Sequence, residues 1–215
     1  MKMTTRTLLS GVALSGATLA MAFGSVDRAQ AASIGLGNTG VGTYSVTGGG
    51  STTIVPNGAF PIGPWLANDA TSSWIGSTSV APGNYTYSTT FDLAGLNAGT
   101  ALISGNWAGD NSGVSILLNG SATGISANAG SVNFASFTAF NIDSTANFAA
   151  GLNTLSFTIN NFDDGQGNNP AGIRVAMTGS ADASEVPEPS DFVGTAFAFG
   201  SVVLLKRKMS KKKLG

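Results

Sequence analysis

Alternation of apolar and polar residues with a period of two constrains the fold of this chain more than any other feature of its sequence. Four segments show this alternation, at residues 85–93, 114–119, 154–159 and 173–178. Successive side chains of a β-strand point to opposite faces, so a period of two predicts strands with one face against a core. No segment has a convincing period of 3.6 residues, and further strands are expected at 101–107 and 137–142.

Turn-forming residues separate these segments at intervals of roughly ten residues. Gly and Asn adopt the backbone conformations of tight turns, and Asp and Asn bond their own backbone there. Such turns occur at Pro82-Gly83, Gly109-Asp110-Asn111, Asn119-Gly120, Ala150-Gly151 and Asp163-Asp164-Gly165. Short strands at this spacing predict an all-β fold, an antiparallel β-sandwich or jelly roll. We expect the sandwich at residues 59–183, preceded at 32–58 by a Gly/Ser/Thr-rich arm with weak edge strands near 43–46 and 52–55.

Part of this strand pattern resembles the galactose-binding-like jelly roll. In that superfamily a strand ending in F-x-L leads to a loop with an Asp and then to a strand ending in L-N-G. Here residues 85–93 end in Phe91-Asp92-Leu93, Asp110 follows, and residues 114–120 end in Leu118-Asn119-Gly120. The resemblance implies a jelly-roll fold for the domain.

The first 31 residues have the three parts of a secretory signal peptide. Lys2 and Arg6 precede an apolar stretch at 8–23, and Ala29-Gln30-Ala31 has the small residues that signal peptidase accepts. We predict a signal helix that is cleaved between Ala31 and Ala32. The alternative is a membrane helix that is retained, although glycine and serine interrupt the apolar stretch.

The last 32 residues, 184–215, combine a proline motif, an apolar run and a basic end. Val186-Pro187-Glu188-Pro189 is followed by the apolar segment 192–205 and by six Lys and Arg residues in 206–213. The prolines keep the motif extended, and basic residues beside an apolar segment stay on the cytoplasmic side of a membrane. A helix that spans a membrane needs about 20 residues, and the segment 192–205 is shorter than that. We therefore predict a short hydrophobic helix that contacts the membrane only transiently.

This C-terminal arrangement resembles the PEP-CTERM sorting signal, and Val186, Pro187, Glu188 and Pro189 match its hallmark motif residue by residue. The resemblance implies that exosortase, a membrane protease-transpeptidase, recognises the motif and removes the apolar and basic part. It also implies delivery to the surface of a bacterium with an exopolysaccharide coat. The expected processing partners are therefore signal peptidase and exosortase. The alternative is an ordinary frayed helix with a solvated basic end.

Composition excludes several kinds of function. The chain has no His and no Cys, so it has no Ser-His-Asp or Cys-His site and no usual zinc site. Residues 32–184 contain seven Asp and one base, Arg174, which argues against nucleic acid as a partner. A carboxylate-pair hydrolase would have to use two aspartates, such as Asp110 with Asp163 or Asp164. We therefore expect a protein that is not an enzyme.

Glycan binding is the chemistry that the remaining residues favour. Aromatic faces stack on sugar rings, while carboxylates and amides bond the hydroxyls. The candidate residues are Trp65, Trp74, Trp107, Asp110 and Asn111. Each tryptophan has an alternative role in the core, because tryptophan buries so much apolar area.

No cofactor is expected, with Ca²⁺ as the one alternative. An oxygen-rich loop contains Asp163, Asp164, Asn168 and Asn169, and calcium takes six to eight oxygen ligands. The spacing does not match an EF-hand, and a turn-forming role is the commoner one for Asp beside Gly or Asn.

The sequence predicts an exported surface or matrix protein that binds exopolysaccharide or another glycan. A structural or adhesive protein that assembles through its sheet edges remains the alternative, followed by a secreted hydrolase.

Overall fold

The computed structural model describes residues 30–127, 133–163, 165 and 169–184. These residues form eleven β-strands and one short 3-10 helix at Ala98–Thr100. The strands are β1 Ala31–Ser33, β2 Ser45–Thr47, β3 Thr52–Ile54, β4 Ile75–Ser77, β5 Gly83–Asp92, β6 Leu102–Asp110, β7 Ser112–Leu118, β8 Ser121–Ala122, β9 Thr138–Ile142, β10 Leu152–Asn161 and β11 Gly172–Asp182.

The strands form two antiparallel sheets. One has the order β3-β4-β11-β6-β9, with β1 pairing with β11, and the other has the order β2-β5-β10-β7-β8. The predicted all-β antiparallel sandwich is thus confirmed. The signal helix and the short C-terminal helix lie outside the described residues, within which no helix has the length and apolarity to cross a membrane.

Alternation along the long strands builds the core between the sheets. The inward residues of β5 and β10 include Tyr85, Tyr87 and Phe157, all buried, and Trp107 of β6 packs against Phe157 with ring centroids 5.7 Å apart. Fully burying such a side chain contributes about 1.5–3 kcal/mol. The apolar positions of the predicted alternation are therefore the ones that the structure buries between the sheets, and their burial stabilises the strands.

The N-terminal segment 32–58 is part of the sandwich, contrary to the loose arm that its composition predicts. Ile34 and Tyr44 are buried in the main core. The hydroxyl of Thr39 accepts a hydrogen bond from the backbone N–H of Val175 at 2.9 Å, so the segment continues along the edge of β11. Small residues allow this close approach of backbones, and β2 and β3 lie where weak edge strands are expected.

Candidate functional site

The three tryptophans predicted to stack on sugar rings are all buried. None of Trp65, Trp74 and Trp107 exposes more than 3% of its surface. Their faces therefore cannot lie against a ligand, and the predicted stacking role is wrong. Large rings gain the most free energy by leaving water, which favours the core position over a loop position.

Trp65 and Trp74 form a small second core on the outer face of the sheet that contains β11. Their ring centroids are 4.2 Å apart, and Trp74 Nε1 donates to the carbonyl oxygen of Leu66 at 2.7 Å. Ala108 joins this second core. Because Trp107 points into the main core, its neighbour Ala108 points to the opposite face. The long connection between β3 and β4 is packed onto the sheet in this way.

A groove of about 470 Å³ lies where this connection meets the ends of the central strands. Phe60 and Phe162 are on its walls with 77% and 39% of their surfaces exposed. Trp65 also lines it, although only 3% of its surface is exposed. The remaining lining residues are Pro61, Pro64, Asp110, Asn111, Phe134, Asp163, Asn169 and Pro170. We call this the aromatic groove.

Strand register brings distant parts of the chain together at the aromatic groove. Asp110 ends β6 and pairs with Gly172, which begins β11. Asn169 and Pro170 precede β11, and Phe162 follows the end of β10. Strand ends, the β3–β4 connection and Phe134 of the β8–β9 connection therefore supply the walls. Loops at the strand ends of a rigid scaffold are where binding residues concentrate.

Asn111 organises the loops around the aromatic groove. Its Oδ1 atom accepts hydrogen bonds from the backbone N–H of Phe162 at 2.8 Å and from Asn169 Nδ2 at 2.7 Å. The same Asn169 nitrogen also donates to the carbonyl oxygen of Phe162 at 3.0 Å. The Asn111 amide oxygen thus ties the backbone of Phe162 and the side chain of Asn169 together beside the groove.

Asp110 is the one carboxyl of the aromatic groove that is withdrawn from water, with 2% of its surface exposed. Its Oδ2 atom accepts a hydrogen bond from Trp65 Nε1 at 2.8 Å. Its Oδ1 atom has no hydrogen-bond partner among the described residues. Burial raises the pKa of Asp110 to about 6, although the indole N–H acts in the opposite direction. The side chain can therefore hold or release a proton near neutral pH.

The predicted calcium residues are placed only in part. Asp163 and Asn169 line the aromatic groove, whereas Asp164 and Asn168 lie outside the described residues. Asp163 Oδ1 accepts from the backbone N–H of Gly165 at 2.9 Å, as a turn-forming aspartate does. Within the described ranges no group of three His, Cys, Asp or Glu side chains could hold a metal ion. Calcium binding stays a prediction.

A second groove of about 520 Å³ adjoins the first and shares Phe60, Pro61, Trp65 and Pro170 with it. Phe60 thus stands between two grooves. Sequence reasoning missed Phe60 and Phe162, because neither follows an alternating pattern. The signal that could have found them is an aromatic residue placed directly beside a turn, in Phe60-Pro61 and in Phe162-Asp163.

The chain matches no protein-family model and no curated protein sequence. Among solved structures it is similar to the CBM36-1 domain of a multidomain xylanase from the hindgut metagenome of Trinervitermes trinervoides. The identity is 12%, the match covers 66% of this chain and 100% of that chain, and the TM-score is 0.36.

It is also similar to the enzymatically active domain of tailspike protein 4 from Bacteriophage CBA120. That match has 17% identity and a TM-score of 0.34, and it covers 63% of this chain and 19% of the tailspike chain. The function of the aromatic groove is therefore inferred from its own residues.

Proposed function

We propose that this protein is an exported surface or matrix protein whose sandwich binds a glycan in the aromatic groove. One observation carries the proposal: two exposed aromatic rings, Phe60 and Phe162, share a groove with carboxylate and amide side chains. Aromatic rings pack on the apolar faces of sugars, and a few placed polar groups fix the orientation of a ligand. Asp110, Asn111, Asp163 and Asn169 supply those polar groups.

In this proposal the first and last strands place both ends of the sandwich away from the aromatic groove. β1 pairs with the last residues of β11, so Ala31 lies opposite Asp182. The aromatic groove lies at the Gly172 end of the same eleven-residue strand. At about 3.3 Å per residue the two ends are roughly 33 Å apart. A sandwich held at its termini during processing would thus keep the groove free.

Signal peptidase and exosortase are the processing partners in this proposal. Ala31 and Ala32 lie inside β1, paired with Asp182 and Ala181, so signal peptidase would cut before the sandwich closes. Ala29 and the sorting motif at 186–189 lie outside the described residues, and the motif begins two residues after Ser184. Exosortase would therefore act close to the folded body, with the apolar segment in transient membrane contact.

Mass spectrometry of the protein from the cell surface tests the export part. We expect a mature chain that begins at Ala32 and carries nothing beyond Pro189. A surface protein that retains residues 192–213 would contradict the processing proposal, and an intact N-terminus would contradict the signal peptide.

Substitution of the two exposed rings tests the binding part. We expect Phe60→Ala and Phe162→Ala each to weaken binding to a glycan found on an oligosaccharide array by about tenfold, which is about 1.4 kcal/mol. Val41→Ala is the control, because Val41 is as exposed as Phe60 but lies on a turn outside the groove. Isothermal titration of each purified variant gives the affinities.

Three results would contradict glycan binding in the aromatic groove. They are an array with no bound glycan, equal affinities for the two Phe variants and the wild type, and an effect of Val41→Ala as large as theirs. No bound glycan together with self-association would favour the structural or adhesive role.

The proposed function is not catalytic. A hydrolase is a further candidate after the structural role, because Asp110 has a carboxyl of raised pKa in a groove that also contains Asp163. New reducing ends appearing in the binding assay, and disappearing with Asp110→Asn, would favour the hydrolase over the binding protein.

A further inference from the structure

The aromatic groove has acids on its walls and no base among its described residues. Asp110 and Asp163 contribute carboxyl groups, and Asn111 and Asn169 contribute neutral amides. Arg174 is the base that the described residues contain, and it is buried with its guanidinium 2.7 Å from Asp69. The fixed charge that a ligand meets in the groove is therefore negative.

Asp110 adds a feature that surface carboxylates lack. It is almost fully buried, and its Oδ1 atom has no hydrogen-bond partner among the described residues. A buried carboxylate without a countercharge is costly, and a bound cation would offset that cost. Tyr87 also faces this carboxylate, but its hydroxyl donates to the carbonyl oxygen of Ala171 and burial raises its pKa, so it supplies no positive charge.

The exposed rings favour the same kind of ligand. A cation over the face of an aromatic ring is attracted by the ring quadrupole, and quaternary ammonium groups are recognised in this way. Phe60 and Phe162 stand on the walls of the groove that contains Asp110. Rings and carboxyl groups that line one groove would therefore both favour a sugar that carries a positive charge.

We propose that the aromatic groove selects glycans that carry positively charged amino groups, with Asp110 and Asp163 supplying the countercharge and Phe60 and Phe162 holding the sugar ring. This proposal rests on the proposed glycan-binding function and names the class of glycan. It excludes polysaccharides rich in uronic acids, whose carboxylates would be repelled.

Three hexasaccharides with one β-1,4-linked backbone test the selection. They differ at the second carbon of each sugar, which carries a hydroxyl in cellohexaose, an acetamide in the N-acetylglucosamine hexamer and a trimethylammonium group in the N-trimethylglucosamine hexamer. Titration at pH 7.5 and low ionic strength should give the cationic hexamer an affinity about tenfold above the two neutral ones. Added salt should reduce this preference.

Two Asp to Asn variants separate a local charge from the net charge. Asp110→Asn should remove most of the preference for the cationic hexamer. Asp92→Asn changes the net charge equally, but Asp92 is exposed at the far end of the sandwich, where it pairs with Leu152, so the preference should persist. An equal loss in both variants would overturn the role of Asp110.

A pH series gives a readout that misfolding would not produce. The trimethylammonium charge does not titrate, so affinity should fall as acid protonates Asp110, with a midpoint near pH 6. The Asp110→Asn variant should show no such midpoint. A wild-type affinity that does not change between pH 7.5 and pH 5 would contradict the proposal.

The outcomes also distinguish this proposal from the function on which it rests. If the neutral hexamers bind as tightly as the cationic one, and Phe60→Ala weakens binding to all of them, the preference for cationic glycans is overturned and glycan binding in the groove is not. Absence of binding by all three hexamers and by an array overturns both. Oligolysine that binds as tightly as the cationic hexamer, or Ca²⁺ that binds through Asp110 and blocks the hexamer, also overturns the selection of amino sugars.

Discussion

Replacing Asp110 with Asn should raise the free energy of unfolding by about 3 kcal/mol at pH 7. The pKa of Asp110 is about 6 in the folded protein, against 3.8 for an ordinary aspartate. Below pH 3.8 both states hold the proton, and stability does not depend on this group. Between pH 3.8 and 6 the unfolded chain releases its proton first, so the folded state loses stability as pH rises. Asn cannot ionise, and its amide oxygen still accepts the hydrogen bond from Trp65.

Urea unfolding of both proteins between pH 3.5 and pH 7 measures this effect. The difference in unfolding free energy between Asp110→Asn and the wild type should grow by about 3 kcal/mol over that range. Other titrating groups cancel in the difference, because both proteins contain them. Asp92→Asn, at an exposed position outside the groove, is the matched control for the loss of one carboxyl. A difference that stays constant with pH would mean that Asp110 is ionised without cost.

Replacing Arg174 with Met should lower the free energy of unfolding by about 3 kcal/mol. Arg174 is buried on β11, where its Nε atom donates to Ser72 Oγ at 3.0 Å and its Nη1 atom donates to the carbonyl oxygen of Ala67. The guanidinium carbon also lies 4.9 Å from the centre of the Phe137 ring. Met fills similar volume but leaves both oxygen acceptors without a donor.

Asp69→Asn is the matched control for the ion pair of Arg174. The backbone N–H groups of Thr71 and Ser72, and then the guanidinium, hold the pKa of Asp69 below its ordinary value. Because this carboxylate is exposed, the pair itself contributes roughly 1 kcal/mol or less. Thermal and urea unfolding should therefore show a much smaller loss for Asp69→Asn than for Arg174→Met. Equal losses would mean that the ion pair, and not the buried donors, holds the loop.

Arg174→Lys should recover little of that stability. A lysine ammonium cannot reproduce the planar fork that reaches Ser72, Ala67 and Asp69 in three directions. The loop between Trp65 and Trp74 therefore depends on the shape of the guanidinium as well as on its charge.

The sequence by itself determined the strands and the class of fold. Tyr85, Tyr87 and Phe91 alternate with polar residues, and the structure buries them on one face of β5. This inference is local, because the period of two follows from backbone geometry and the burial follows from the apolar side chains. The export signals are likewise short motifs of neighbouring residues. They stay predictions, because residues 1–29 and 185–215 lie outside the described residues.

Sequence reasoning anticipated the candidate site in part. Asp110, Asn111, Asp163 and Asn169 were expected to be polar ligand residues, and the structure does bring them to one groove. The tryptophans were misassigned because the exposure of a ring depends on what packs over it. Trp65 is covered by Trp74 and by its own loop, whereas Phe60 in the same loop points to solvent.

The tertiary structure alone decided how these residues act together. Gly172 lies opposite Asp110 only because of the register between β6 and β11, which no local pattern specifies. The packing of the β3–β4 connection onto this sheet brings Trp65 within hydrogen-bond distance of Asp110. Burial of the carboxyl there raises the pKa of Asp110. Alternation fixes which face of a strand is buried, but long-range packing fixes which loops meet at its end. The strands could thus be predicted from local residue patterns, whereas the aromatic groove depends on contacts between distant segments and could not.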